Sequence, residues 1–155
     1  HSFGCAEADK DFLKLERGFR YTNWEVLDRE RTASLLSQVD VFADFSTFQA
    51  MGLTALEAMA SGVAVVVPKH GGTDAFAVDE ENALVIDSKD EEACFDAVCR
   101  LIDDRALTIS IQQAAMRTAA TFFPEKAALN ILDELFERTS NTEEPSANEV
   151  VSEVL

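Results

Sequence analysis

The sequence predicts an α/β domain: a doubly wound parallel sheet with helices on both faces and a helical C-terminal end. Apolar runs alternate with helix-period segments along most of the chain, the mark of a parallel sheet covered by helices. The run Val63-Ala64-Val65-Val66-Val67 is continuously apolar, as a central strand buried on both faces requires. A length of 155 residues with 47% hydrophobic content is enough for one such domain and its core.

Taken in order, 2–5 and 19–22 read as strands, with a helix at 8–16 between them. Segment 28–37 reads as a helix opened by Asp28 and an acidic first turn. Strand 39–45, helix 53–60, strand 63–67 and strand 83–87 follow, and Asp90 opens a helix at 90–102. Beyond it the pattern is helical, at 106–122 and 125–138, with Pro124 placed where an early helical position tolerates it. Residues 139–155 are rich in Ser, Asn and Glu, with four acids and no base. They are expected to form a disordered acidic tail whose Val150, Val151, Val154 and Leu155 dock weakly. The domain is accordingly expected to span 1–138 and the tail 139–155.

Composition narrows the partners. Against 13 Lys and Arg stand 29 Asp and Glu, and a formal charge of −16 repels a nucleic-acid backbone and an anionic lipid surface alike. Any anion site must therefore rest on local donors such as a helix N-terminus. Cys5, Cys94 and Cys99 are odd in number and lack metal-ligand spacing, so no metal is expected and a reduced, cytoplasmic chain is the simplest reading. No apolar run approaches the roughly 18 residues of a membrane span, and no signal-peptide pattern opens the chain. The start at His1 rather than Met leads to the expectation of residues upstream.

Residues 39–87 carry the chemistry. A buried strand ends near Phe45, a polar loop holds Ser46 to Gly52, and a helix starts near Leu53. Crevices at the carboxyl ends of parallel strands are where open α/β sheets bind ligands. The free N–H groups of Gly52, Leu53 and Thr54 at the helix start suit an anion such as a diphosphate. Glu57, one turn on, lies off the core stripe of Leu56 and Met59 and can accept two hydrogen bonds from a ribose diol. The same spacing also fits a Thr54-x-x-Glu57 capping box, which needs no ligand and is the commoner device. Gly71 and Gly72 permit a close approach of ligand to main chain, or simply make a turn. His70 beside them reads first as a solvated loop histidine.

The run Gly52-Leu53-Thr54-x-Leu56-Glu57-Ala58-Met59-Ala60-x-Gly62, followed by an apolar strand, Gly71-Gly72, and Asn82 before Leu84-Val85, resembles a known family. It is similar to the C-terminal, nucleotide-sugar-binding domain of the retaining two-domain glycosyltransferases of the glycosyl transferases group 1 type. That group includes bacterial polysaccharide and O-antigen sugar transferases, mannosyltransferases and sucrose synthase. The resemblance runs from about Phe3 to Phe136 and implies a Rossmann-like half of the two-domain glycosyltransferase fold known as GT-B. By similarity Glu57 is the second glutamate of a Glu-x7-Glu motif and holds the donor ribose, and the backbone at Gly52 and Leu53 meets the donor phosphate. That favours the ribose role of Glu57 over the cap alone. The chain departs from the pattern at the first glutamate, which is Gln49, at Ala75 after the glycine pair, and at Ala83 after Asn82. The family's phosphate-binding Arg and Lys follow a first strand that this chain lacks.

The resemblance implies transfer of a sugar from a nucleotide-activated donor to a glycan or lipid-linked acceptor, with retention of configuration and without cofactor or metal. Gln49 is the expected catalytic-site residue, and Glu57, Gly52, Leu53, Thr54, Gly71 and Gly72 the expected substrate-binding residues. The implied partner is an N-terminal domain of the same polypeptide, with nucleic acid excluded. The implied location is the cytoplasm, against the inner face of the membrane where the acceptor is lipid-linked. The rival readings are a sugar-nucleotide epimerase, a glycan phosphorylase, and a non-catalytic nucleotide-sugar-binding module.

Overall fold

The computed structural model describes residues 1–6, 8, 20–122, 129, 131 and 132. The chain divides into two compact units, His1–Ala119 and Ala120–Leu155. The helix expected at 8–16, most of that at 125–138 and the tail at 139–155 lie outside the described residues.

Among the described residues eight elements follow one another. They are α1 (Arg29–Leu36), β1 (Val41–Ala43), α2 (Leu53–Ala60), β2 (Ala64–Pro68), a short 3-10 turn (Gly72–Ala75), β3 (Leu84–Ile86), α3 (Glu91–Asp103) and α4 (Arg105–Ala119). Helix starts follow local chemistry. Asp28 accepts from the Arg31 N–H to cap α1, and Asp90 accepts from the Ala93 N–H to cap α3. Asp104 ends α3 and opens α4, accepting from the N–H groups of Ala106 and Leu107. α4 stops at Ala119, three residues short of the sequence expectation.

Among the described residues the strands form one parallel sheet in the order β1-β2-β3, with Phe42 opposite Val65 and Val67 opposite Val85. β2 lies at the centre and is wholly buried. Its alternation splits the core into two layers. Val65 and Val67 pack with Leu56 and Met59 of α2 and Ala115 of α4, while Ala64 and Val66 face Ala97 and Leu101 of α3 and Ile111 of α4. Helices thus cover both faces, and each crossover joins parallel strands, the doubly wound arrangement the pattern predicted. Among the described residues no helix is long and apolar enough to cross a membrane.

Two expected strands are corrected. Segments 2–5 and 19–22 form no strand among the described residues, and Ser2 and Asn23 meet in a single isolated parallel bridge. Their backbone bonds go to each other, from Ser2 to the Thr22 carbonyl, from Trp24 to that of Ser2 and from Gly4 to that of Glu25. This pair does not hydrogen-bond to β1, which is an edge of the sheet. Phe3 reaches it by side chain instead, with ring centroids 6.2 Å from Phe42.

Candidate functional site

Between the Ser2–Gly4 segment and the open edge of β1 lies a groove of about 480 Å³. Phe3, Val41 and Phe42 are among its apolar lining, and Asp44, Gln49 and Thr54 line it as well. The polar residues belong to the β1–α2 segment at the carboxyl end of β1, where a parallel sheet directs its loops to a ligand. The groove therefore joins a strand edge that is unpaired among the described residues to a polar rim.

The β1–α2 loop is built rigidly. The Asp44 N–H donates to the Val66 carbonyl (2.9 Å), which ties the loop's first residue to the sheet. One Asp44 carboxylate oxygen accepts from the Ser46 N–H (2.9 Å), an Asx-type turn, and the other accepts from Nε2 of Gln49 (2.7 Å). Gln49 then forms a parallel bridge with Gly71, and its carbonyl accepts from the Gly72 N–H (2.7 Å). The loops after β1 and β2 are welded at this point.

That weld explains the glycine pair. A Cβ at Gly71 would stand 2.1 Å from the Gln49 carbonyl oxygen, and one at Gly72 would stand 2.2 Å from that of Ala50. Gly71 also holds φ 117° and ψ −159°, a region closed to L side chains. The close approach that these glycines permit is to the neighbouring loop. Thr73 continues the arrangement from inside, its hydroxyl donating to the Pro68 carbonyl (2.7 Å).

α2 begins at Leu53 with Gly52 as its N-cap in a left-handed conformation, φ 73°, and no side chain caps it. The capping box is therefore not formed. Thr54 sits inside the first turn rather than at the cap, because a Cβ at position 52 would meet Thr73 at 2.9 Å and the left-handed turn needs glycine. With no capping side chain, the first N–H groups of α2 keep their donor capacity, and the helix dipole adds partial positive charge there. On the same helix Ala55, Leu56, Ala58 and Met59 are buried, while Leu53 and Glu57 are exposed. Spaced i and i+4, those two share one face. The Glu57 carboxylate has no hydrogen-bond or ion-pair partner among the described residues.

The structure thus brings Gln49 and Thr54 to the groove and locks Gly71 and Gly72 against Gln49. It buries Gly52 at the helix start, and it places Leu53 and Glu57 on the exposed face of α2, outside the groove lining. His70 is exposed. Lys69, a cation on the same loop, is engaged with Asp87 at 2.7 Å. That hydrogen bond, with a second from the Lys89 N–H, holds the Asp87 carboxyl below the usual carboxylate range. Asn82 is buried and fully occupied, accepting from the Val78 N–H and donating to the Phe76 carbonyl and the Thr118 hydroxyl. Its place in the motif has a structural cause. Asp44 is the polar residue that sequence reasoning missed; an Asp at a strand end two residues before Ser46 is the Asx-turn signal that marks it.

Comparison with known proteins shows the family and the fold. Residues 4–104 match the family described as glycosyl transferases group 1. The chain is 30% identical over 129 residues to D-inositol 3-phosphate glycosyltransferase of Corynebacterium urealyticum, an alignment covering 83% of this chain and 30% of that protein. It is 28% identical over 128 residues to the lipopolysaccharide core biosynthesis glycosyltransferase LpsD of Rhizobium meliloti, covering 83% of the chain and 36% of the relative. The chain thus spans about a third of these curated relatives. Among solved structures, the C-terminal domain of a group 1 glycosyl transferase from Francisella tularensis superposes with a TM-score of 0.58 at 31% identity, over 63% of this chain and 50% of that one. The sucrose-phosphate synthase of Thermosynechococcus elongatus gives 0.67 at 24% over 79% and 31%, and Anabaena HepE in complex with UDP gives 0.63 at 23% over 76% and 31%; these two speak to fold. Sheet, helix order, motif and relatives agree: the chain belongs to the glycosyl transferases group 1 family, with the Rossmann-like α/β architecture of one half of a GT-B glycosyltransferase.

Proposed function

We propose that this domain binds the nucleotide-activated sugar donor of a retaining glycosyltransferase, which transfers the sugar to a glycan or lipid-linked acceptor. The observation that carries the reading is the uncapped N-terminus of α2 with the Glu57 carboxylate, which has no partner among the described residues, one turn along the same helix. Donor N–H groups suit a diphosphate, and an exposed carboxylate suits a vicinal diol. On this reading the diphosphate lies over Gly52, Leu53 and Thr54, the ribose on Glu57, and the sugar toward Gln49, with Gly71 and Gly72 holding that end of the site in place. On this reading the acceptor site belongs to an N-terminal domain of a longer polypeptide located in the cytoplasm, and the cations that neutralise the leaving diphosphate follow the first strand of the donor-binding domain itself. Catalysis then rests on positioning and on donors aimed at the leaving group.

UDP is the probe of choice, because the related fold of HepE is seen with UDP. Glu57→Ala should weaken UDP binding by about 2 to 4 kcal/mol, the value of up to two charge-assisted bonds. Its melting temperature should stay unchanged, since the exposed side chain holds nothing in the fold. Titration calorimetry that finds equal affinities for the two proteins defeats the ribose role. A non-catalytic binding module is the second reading, favoured by the amide at Gln49 where the motif has a carboxylate. Sugar transfer with a retained anomeric configuration, followed by NMR in the longer polypeptide, excludes it.

A further inference from the structure

We propose that Asp44 positions Gln49, setting which end of its amide is offered to the donor sugar, so that position 49 acts as a hydrogen-bond acceptor toward the groove. This assignment rests on the donor reading above.

The hydrogen-bonding capacity of each group sets the orientation. An ionised carboxylate has acceptors and no donor, so a glutamine that meets it must turn its NH2 toward it. Asp44 uses both oxygens in this way, one for the Ser46 N–H and one for Nε2 of Gln49. The carbonyl end of the Gln49 amide, which has no partner among the described residues, is thereby left for the groove that the residue lines.

Asp44 is itself fixed, because its N–H is bonded to the Val66 carbonyl on the central strand. The Gln49 backbone is fixed from the other side by Gly71 and Gly72. Main chain and side chain are therefore both held before any ligand arrives, and the ordering cost of a long side chain falls on folding rather than on binding. The negative charge of Asp44, which lines the same groove beside the amide, also disfavours an anion at this end of the site. A sugar hydroxyl, which can donate to the Gln49 carbonyl oxygen, fits better there than a phosphate.

An exchange of groups tests this. In Asp44→Asn the new amide has one oxygen; if that oxygen keeps the Ser46 N–H, its NH2 faces Gln49, which must turn round and present a donor to the groove. Gln49→Glu instead sets two carboxylates against each other across the 2.7 Å contact. The double variant Asp44→Asn/Gln49→Glu lets the introduced amide donate to the introduced carboxylate, whose second oxygen again faces the groove as an acceptor.

The first readout needs no ligand. In the native chain the Gln49 side-chain NH2 signals, assigned by their loss in Gln49→Glu, should show one proton at least about tenfold protected from exchange by its charge-assisted bond. In Asp44→Asn that protection should fall. A native Gln49 amide that behaves like free glutamine overturns the proposal, whether or not UDP binds. The second readout is affinity for UDP-glucose and for UDP. Each single variant should weaken UDP-glucose about fivefold or more while leaving UDP within about twofold, and the double variant should restore UDP-glucose to within about threefold. A double variant no better than the singles overturns the positioning role. Equal loss for UDP and UDP-glucose overturns the placement of the sugar. If native protein with a protected Gln49 amide binds no UDP, the donor reading has failed and the assignment of this acceptor to a sugar falls with it. If either single variant fails to fold, the NMR of the native chain decides the orientation.

Discussion

Gly71→Ala tests the weld between the loops after β1 and β2. The new Cβ would lie 2.1 Å from the Gln49 carbonyl oxygen, 2.8 Å from its nitrogen and 3.0 Å from its carbonyl carbon. All three are backbone atoms, so no side-chain rotation relieves the clash. The conformation of Gly71 adds strain of about 1 to 3 kcal/mol for an L residue. Pushing the loop away adds about 1 to 3 kcal/mol of overpacking, or costs the Gly72 to Gln49 hydrogen bond at about 0.5 to 1.5 kcal/mol. The expected loss is about 2 to 6 kcal/mol, a large part of the ordinary 5 to 15 kcal/mol of a domain. Gly4→Ala is the control, because Gly4 also has positive φ, at 91°, but a Cβ there meets nothing within 4 Å. Urea unfolding followed by circular dichroism should place Gly71→Ala well below Gly4→Ala. Equal midpoints would refute the steric argument and leave the glycine pair to be explained by a ligand.

Asn82→Ala should cost about 1 to 3 kcal/mol in the same assay, since it removes the acceptor of the Val78 N–H and the amide's bond to the Phe76 carbonyl; a loss below about 1 kcal/mol would show that water replaces the amide. The depressed Asp87 carboxyl predicts an acid limb: its pairing with Lys69 stabilises the fold fully above the ordinary carboxylate pKa and is lost as pH falls through the lower folded value. Asp87→Asn should flatten the melting profile in that window, and an unchanged profile counts against the pairing. Burial, with the charges of Asp90, Asp87 and Glu91, pushes the Cys94 thiol up, so iodoacetamide should modify Cys99 before Cys94, and mass spectrometry showing the reverse order would contradict the packing of α3.

Local signals carried much of this protein into view. The ends of α2 could be read from the chain because Gly52 precedes an apolar stripe and Gly62 follows it, and the openings of α1 and α3 because Asp28 and Asp90 cap within three residues of themselves. The all-apolar run 63–67 predicted a central strand, and β2 is that strand, displaced by one residue. The glycosyl transferases group 1 motif was equally legible, because Gly52, Glu57 and the glycine pair are close in sequence.

What failed were readings that depend on distant partners. Segments 2–5 and 19–22 have strand-like composition, but a strand exists only where another supplies its hydrogen bonds, and here each finds the other over a few residues instead of the sheet. Thr54 and Glu57 have the spacing of a capping box, yet the left-handed turn at Gly52, packed against Thr73 and Phe76, moves the cap two residues earlier. Composition and spacing determined that this is a parallel α/β domain with a glycine-led helix start after its first strand. Only the folded chain decided that Gly71 and Gly72 face the Gln49 loop, because those contacts form between loops that the sheet alone brings together, and that the Asp44 carboxylate holds the Gln49 amide within its own loop.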